Sequence, residues 1–146
     1  MDSNEAAAAL AGVSGAQHRL ADQIGDCPPW RHAAFGFVMA LLVGGASLPP
    51  LLQSTTVVVG MALVALIVRY DRRRYGVFIN GYRRGKTRIV AFGILAVVLG
   101  LYAVSVVRGL DHHDHIAPLL LGAVAMVVAI LGSMLWQRVF VREMGV

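Results

Sequence analysis

The chain has 146 residues, of which 58% are hydrophobic and 14% are charged, and its formal net charge is +5 at pH 7. With a mean hydropathy of +0.69, this composition excludes an ordinary soluble domain, and the single cysteine excludes an intramolecular disulfide. Stretches of 36, 19 and 22 residues contain no Asp, Glu, Lys or Arg, and they lie at 33–68, 89–107 and 116–137.

Residues 1–29 form the predicted N-terminal segment. Leu10, Val13, Leu20 and Ile24 recur at spacings near 3.5, which permits a weakly amphipathic helix. The alternative is a partly ordered tail, because glycines interrupt the pattern. The segment carries several acids and no apolar core, so no secretory signal is predicted.

Residues 30–146 form the predicted membrane domain. A helix needs roughly 20 apolar residues to cross a hydrocarbon core about 30 Å thick, so the last two uncharged stretches each fit one span. The first suits two, divided at Pro49 and Pro50, where two prolines break a helix. The sequence therefore predicts an all-α fold with four transmembrane helices, arranged as two hairpins, near 30–48, 51–70, 89–108 and 116–139. A soluble helical core is disfavoured because these segments are apolar on every side.

The basic residues predict the orientation. Eight of the thirteen lysines and arginines lie between Arg69 and Arg88. The positive-inside rule therefore places the loop 71–88 and both termini in the cytoplasm and the loop 109–115 outside. We expect a multi-pass protein of a plasma or inner membrane.

The cytoplasmic loop combines basic clusters with an apolar, aromatic centre. Such a loop suits anionic lipid headgroups or another protein chain, whereas nucleic-acid binding is not expected of a short loop between two spans. The alternative is that the arginines only fix the topology. The predicted lipid-binding or partner-binding residues are Arg72, Arg73, Arg74, Tyr75, Phe78, Tyr82, Arg83, Arg84, Lys86 and Arg88.

The outer loop contains five consecutive potential metal ligands. Imidazole and carboxylate groups bind divalent transition metals, and histidine also titrates near neutral pH. The sequence is therefore compatible with a metal site, a pH-sensitive loop or a merely solvated turn. The candidate ligands are Asp111, His112, His113, Asp114 and His115.

Small residues recur one turn apart in three of the predicted spans. They let helix backbones approach closely in lipid, either within the chain or between chains. The predicted packing residues are Gly36, Ala40, Gly44, Ala96, Gly100, Ala125 and Ala129.

No charged residue or histidine falls at mid-membrane depth in the predicted spans, and no catalytic constellation is recognisable. We therefore expect no enzyme. The leading hypothesis is a subunit that assembles with itself or with another membrane protein. A small oligomeric channel for a neutral solute or metal ion is the alternative, and a membrane immunity or regulatory protein is a weaker one.

Overall fold

The computed structural model describes residues 2–25, 27–75, 85–112 and 116–143. Within these ranges the regular structure is entirely helical, so the predicted fold class is confirmed at that level. Five α-helices follow one another, and we name them α1 to α5. They are α1 Ser3–Gly25, α2 Pro29–Gly44, α3 Pro50–Tyr75, α4 Lys86–His112 and α5 Ile116–Glu143.

The first helix, α1, occupies most of the N-terminal segment. Its alanine-rich first half has high helix propensity, which is enough to carry the helix through Gly12 and Gly15. Leu10 and Val13 are 71% and 55% exposed, although α1 does contact α5. The helix therefore adds little to the core.

Three helices are long and apolar enough to cross a membrane. They correspond to 25 residues at Pro50–Arg74, 24 at Lys86–Gly109 and 28 at Ile116–Glu143, with mean hydropathies of 2.2, 2.6 and 2.4. Large apolar side chains on them are exposed, for example Leu51 at 80% and Ile89 at 73%, as lipid contact requires. These helices make the chain a membrane-embedded protein.

The count of spanning helices differs from the prediction, because the described residues supply three such helices and not four. The predicted first span at 30–48 contains α2, which has only 16 residues. Pro29 stands at its first turn, and the helix ends at Gly44, where a 3-10 turn over Gly45–Ser47 begins. Gly45 is needed there because an added Cβ would lie 2.6 Å from Thr56 Oγ1 on α3.

The most extensive contact in the fold joins α2 to α5, followed by that of α4 with α5 and then by that of α2 with α3. The core lies between α2 and α5, whose buried residues include Val38, Val43, Ala125 and Ala129. Two neighbours in sequence, α2 and α3, thus pack less closely than α2 and the last helix. The helix α3 lies at the periphery, where it packs mainly against α2.

Candidate functional site

The contact of α2 with α5 depends on glycine. A Cβ on Gly36 would lie 2.5 Å from Ile130 Cγ1 and 2.9 Å from the backbone oxygen of Met126. A Cβ on Gly122 would lie 2.9 Å from the backbone oxygen of Ala40. Any larger side chain would therefore push the two backbones apart.

The other predicted packing residues of these two helices lie along the same contact. Gly44 faces α5, since its Cβ position is 3.7 Å from the backbone oxygen of Pro118. Ala125 and Ala129 are fully buried. Five of the seven small residues named from the sequence are thus brought together inside the chain, on α2 and α5.

The remaining two, Ala96 and Gly100, lie on the outward face of α4. Both are exposed, and no atom lies within 4 Å of a Cβ built on Gly100 or on Gly93. Six exposed residues continue this face at spacings of 4, 3, 4, 3 and 4, the heptad pattern of a helix packed against another helix. We call them the α4 seam: Ile89, Gly93, Ala96, Gly100, Ala103 and Val107.

Sequence reasoning identified only two of the six residues of the α4 seam. The spacing that defines the other four is present in the sequence. The sequence does not show that the opposite face of α4 is the one that packs against the bundle. That face carries Ser105, which is fully buried and donates a hydrogen bond of 2.7 Å to the backbone oxygen of Val43.

An ion pair joins α2 to α3 near one end of the bundle. We call this the basic end: α2 and α4 begin there, and α3 and α5 end there. Arg31 Nε donates to Asp71 Oδ1 at 2.8 Å and Arg31 Nη2 donates to Asp71 Oδ2 at 2.6 Å, so the guanidinium engages both carboxylate oxygens. The Asp71 side chain is 9% exposed and that of Arg31 29%. The two opposite charges, both partly buried, thereby neutralise each other.

A buried histidine joins α2 to α5 at the same end. His32 is 4% exposed, and its two ring nitrogens lie 2.8 Å from Ser133 Oγ and 2.8 Å from Gln137 Oε1. Both nitrogens are therefore satisfied within the bundle. Neither partner of His32 was predicted from the sequence.

The described part of the basic loop lies on two helix ends. Arg72, Arg73 and Arg74 are exposed in the last turn of α3, which ends at Tyr75. Lys86 and Arg88 are exposed in the first turn of α4. The predicted site residues Phe78, Tyr82, Arg83 and Arg84 lie outside the described residues.

The start of α4 is attached to the end of α5. Glu143 Oε1 accepts a hydrogen bond from the backbone N–H of Lys86, which places a carboxylate at the positive end of the α4 dipole. Gly85 precedes this contact with φ +145°, a conformation that other residues rarely adopt. The first residues of α4 are therefore held against the end of α5.

The predicted metal ligands fall at the boundary of the described residues. Asp111 and His112 belong to the last turn of α4, whereas His113, Asp114 and His115 lie outside the described part. In the described ranges, no group of three histidine, cysteine or acidic residues is arranged to hold a metal ion. The metal-site hypothesis stays a prediction.

Neither a family model nor a curated protein nor a solved structure matches this chain.

Proposed function

We propose that this protein is a non-enzymatic membrane subunit that assembles through the α4 seam with a helix of another chain. The observation that carries the proposal is the division of the small residues. Those of α2 and α5 are used inside the chain, whereas those of α4 face outward with open space over Gly93 and Gly100.

A lipid-facing helix has no need of this pattern. Acyl chains adapt to a rough helix surface, so an uncovered helix gains nothing from aligned glycines and alanines. A second helix does gain, because small residues at heptad spacing let the backbones approach and increase van der Waals contact. Ile89 and Val107 close the two ends of the seam with larger apolar side chains.

The basic end supplies a second contact surface in this proposal. Arg72, Arg73 and Arg74 and the first turn of α4 present exposed cations where anionic headgroups or an acidic partner segment would meet them. Each cation near an anionic leaflet is worth about 1 kcal/mol. This surface orients the subunit, and the α4 seam selects its partner.

The alternative of a channel has less support. Val38 and Val43 of α2 and Ala125 and Ala129 of α5 are 0% exposed, so the central contact between these two helices is filled by apolar side chains. A conducting path could therefore not run through this contact.

We propose further that α2 is a fourth crossing, with both termini on the cytoplasmic side. The helix itself is about 24 Å long at 1.5 Å per residue. The 3-10 turn over Gly45–Ser47 adds about 6 Å at 2.0 Å per residue, which together approaches the thickness of a hydrocarbon core. With four crossings, the described helix ends that are rich in arginine all lie on the same side of the membrane.

The test of assembly is a pair of bulky substitutions in the α4 seam. Ala96→Leu with Gly100→Leu fills the space that a partner helix would occupy. We expect the mass of the complex extracted in mild detergent to fall to that of a smaller species, because leucines at both positions separate the backbones.

Ala62→Leu with Ala65→Leu is the matched control, since both alanines are exposed on α3. This variant should keep the native mass. Loss of the complex in both variants, or in neither, would contradict the assignment of the interface to α4. Recovery of a second protein distinguishes a hetero-oligomer from a homo-oligomer.

A further inference from the structure

A groove of about 350 Å³ lies between α2 and α3, and several of the side chains that line it are exposed. Its lining is almost entirely apolar and includes Trp30, Ala34 and Phe37 of α2 and Leu63, Ile67 and Tyr70 of α3. The volume is within the range of small-molecule sites in proteins, which is about 300–1,000 Å³. The lining residues extend over eight positions on each helix, 30–37 and 63–70, or about 10 Å along the bundle axis.

Two aromatic rings form the end of the groove nearest the basic end. The rings of Trp30 and Tyr70 meet edge to face with centroids 4.8 Å apart. Trp30 remains 47% exposed. Tryptophan and tyrosine are favoured where acyl chains meet headgroups, so this pair marks the headgroup level of the groove.

Arginines continue the groove face beyond the aromatic pair. Arg73 and Arg74 follow Tyr70 by three and four positions, which is the spacing of one helix face. Arg74 Nη1 donates a hydrogen bond of 2.9 Å to the Tyr70 hydroxyl, so its guanidinium is held over the end of the groove. Arg73 is exposed beside it.

The local acid does not cancel this charge. Asp71 is the only acidic residue between Arg69 and Tyr75, and its two oxygens are engaged by Arg31. The end of α3 therefore carries three exposed arginines, Arg72, Arg73 and Arg74, beside this one acidic residue. An apolar groove that ends in fixed cations is complementary to a molecule with an apolar chain and an anionic head.

We infer that the groove between α2 and α3 binds an acidic phospholipid. One acyl chain lies along Phe37, Leu63 and Ile67, and the headgroup phosphate lies against Arg73 and Arg74. The arginine fork suits a phosphate because two N–H groups can point to two oxygens. This site does not involve the α4 seam, so either proposal can fail without the other.

The experiment uses Trp30 as the reporter. The chain has two tryptophans, so Trp136→Phe leaves Trp30 alone. The full-length protein is reconstituted in vesicles that mix phosphatidylglycerol and phosphatidylcholine, with brominated acyl chains on one lipid or the other. Bromine quenches tryptophan fluorescence at short range, so quenching measures which lipid occupies the groove.

We expect brominated phosphatidylglycerol to quench Trp30 more than brominated phosphatidylcholine at equal mole fraction. Arg73→Ala with Arg74→Ala should lower this preference by up to about 25-fold, since each arginine contributes about fivefold. Arg73→Lys with Arg74→Lys keeps the charge and tests whether the loss comes from the cations or from a disturbed helix end. The lysine variant should retain most of the preference.

Arg138→Ala with Arg142→Ala is the matched control, because it removes two exposed arginines at the basic end of α5. It should leave the preference nearly unchanged. Equal quenching by the two lipids in the parent protein would overturn the inference. So would an equal loss in the α3 and α5 variants, which would show diffuse attraction of the whole surface and not a site.

Discussion

Polar contacts with three other helices, α3, α5 and α4, hold the α2 helix in place. Arg31 bonds to Asp71 on α3, His32 bonds to Ser133 and Gln137 on α5, and Ser105 of α4 bonds to the Val43 carbonyl. In a membrane the hydrophobic effect does not favour one helix contact over another, so such bonds and close packing select the partners.

The ion pair gives the sharpest prediction at the level of single residues. Asp71→Asn leaves the Arg31 cation partly buried with no carboxylate. We expect the free energy of unfolding to fall by about 2 kcal/mol, near the lower end for broken ion pairs because Arg31 keeps some solvent exposure. Denaturant titration of the purified protein in detergent, followed by circular dichroism, measures the change.

Asp22→Asn is the control for this prediction, since Asp22 is an exposed carboxylate of α1. It should leave stability unchanged. Replacing both partners, Arg31→Met with Asp71→Leu, should recover much of the loss because no uncompensated charge remains. An Asp71→Asn protein as stable as the parent would show that the pair adds nothing.

These residue contacts were not predictable from the sequence. From the sequence, Asp71 was assigned only to the cytoplasmic loop 71–88, and no partner was predicted for Arg31. The partners lie 40 positions apart for Arg31 and Asp71 and 101 for His32 and Ser133. No local periodicity connects such positions, because the pairing depends on which helices become neighbours.

At the scale of helices, apolar length was the reliable signal. It predicted α3, α4 and α5, whereas the break at Pro49 and Pro50 separated α2 from α3 as expected. The sequence did not show that α2 ends at Gly44, because Gly44 and Gly45 lie in an uncharged, apolar stretch. The helix gives way there to the 3-10 turn over Gly45–Ser47, in which Gly45 is packed closely against Thr56.

Small-residue spacing was an incomplete signal for the same reason. The pattern is similar in α2, α4 and α5, yet the small residues of α2 and α5 lie in the contact between those two helices, whereas Ala96 and Gly100 of α4 face outward. Spacing shows that a close contact is possible but does not identify its partner. The partner follows from the three-dimensional arrangement.

Gly36 is the position at which the close contact between α2 and α5 can be tested. Gly36→Ala introduces a methyl group 2.5 Å from Ile130 Cγ1 and 2.9 Å from a backbone oxygen, so α2 and α5 must separate. We expect a destabilisation of about 1–3 kcal/mol, as for other overpacked cores. Thermal unfolding in detergent is the measurement.

Gly12→Ala is the matched control, because no atom lies within 4 Å of the added methyl group. It should preserve the melting temperature or raise it slightly, since alanine favours a helix. If Gly36→Ala were equally harmless, the close contact between α2 and α5 would not be a determinant of the fold.

At the scale of the whole molecule, the fourth crossing can be tested by chemical labelling. In a Cys27→Ser background, single cysteines replace Asp22, Leu48 or Arg72, all of which are exposed. A membrane-impermeant maleimide should label the cysteine at position 48 in intact cells. It should reach those at 22 and 72 only after the membrane is opened, because the proposed topology places both inside.

Labelling of positions 22 and 48 from the same side would show that α2 does not cross. Labelling of position 72 in intact cells would reverse the orientation that the positive-inside rule predicts. The two outcomes separate the number of crossings from their direction.

The α4 seam is proposed to contact another chain, and cysteine cross-linking along α4 tests this claim most directly. Single cysteines at each position of 89–107, in the Cys27→Ser background, are oxidised or bridged in native membranes. We predict cross-linked products with maxima at the positions of the α4 seam and minima at 94, 98, 101 and 105. The product mass will be twice 15.6 kDa for a homo-oligomer and another value for a different partner. Cross-linking with no periodicity, or with maxima on the opposite face of α4, would contradict the claim.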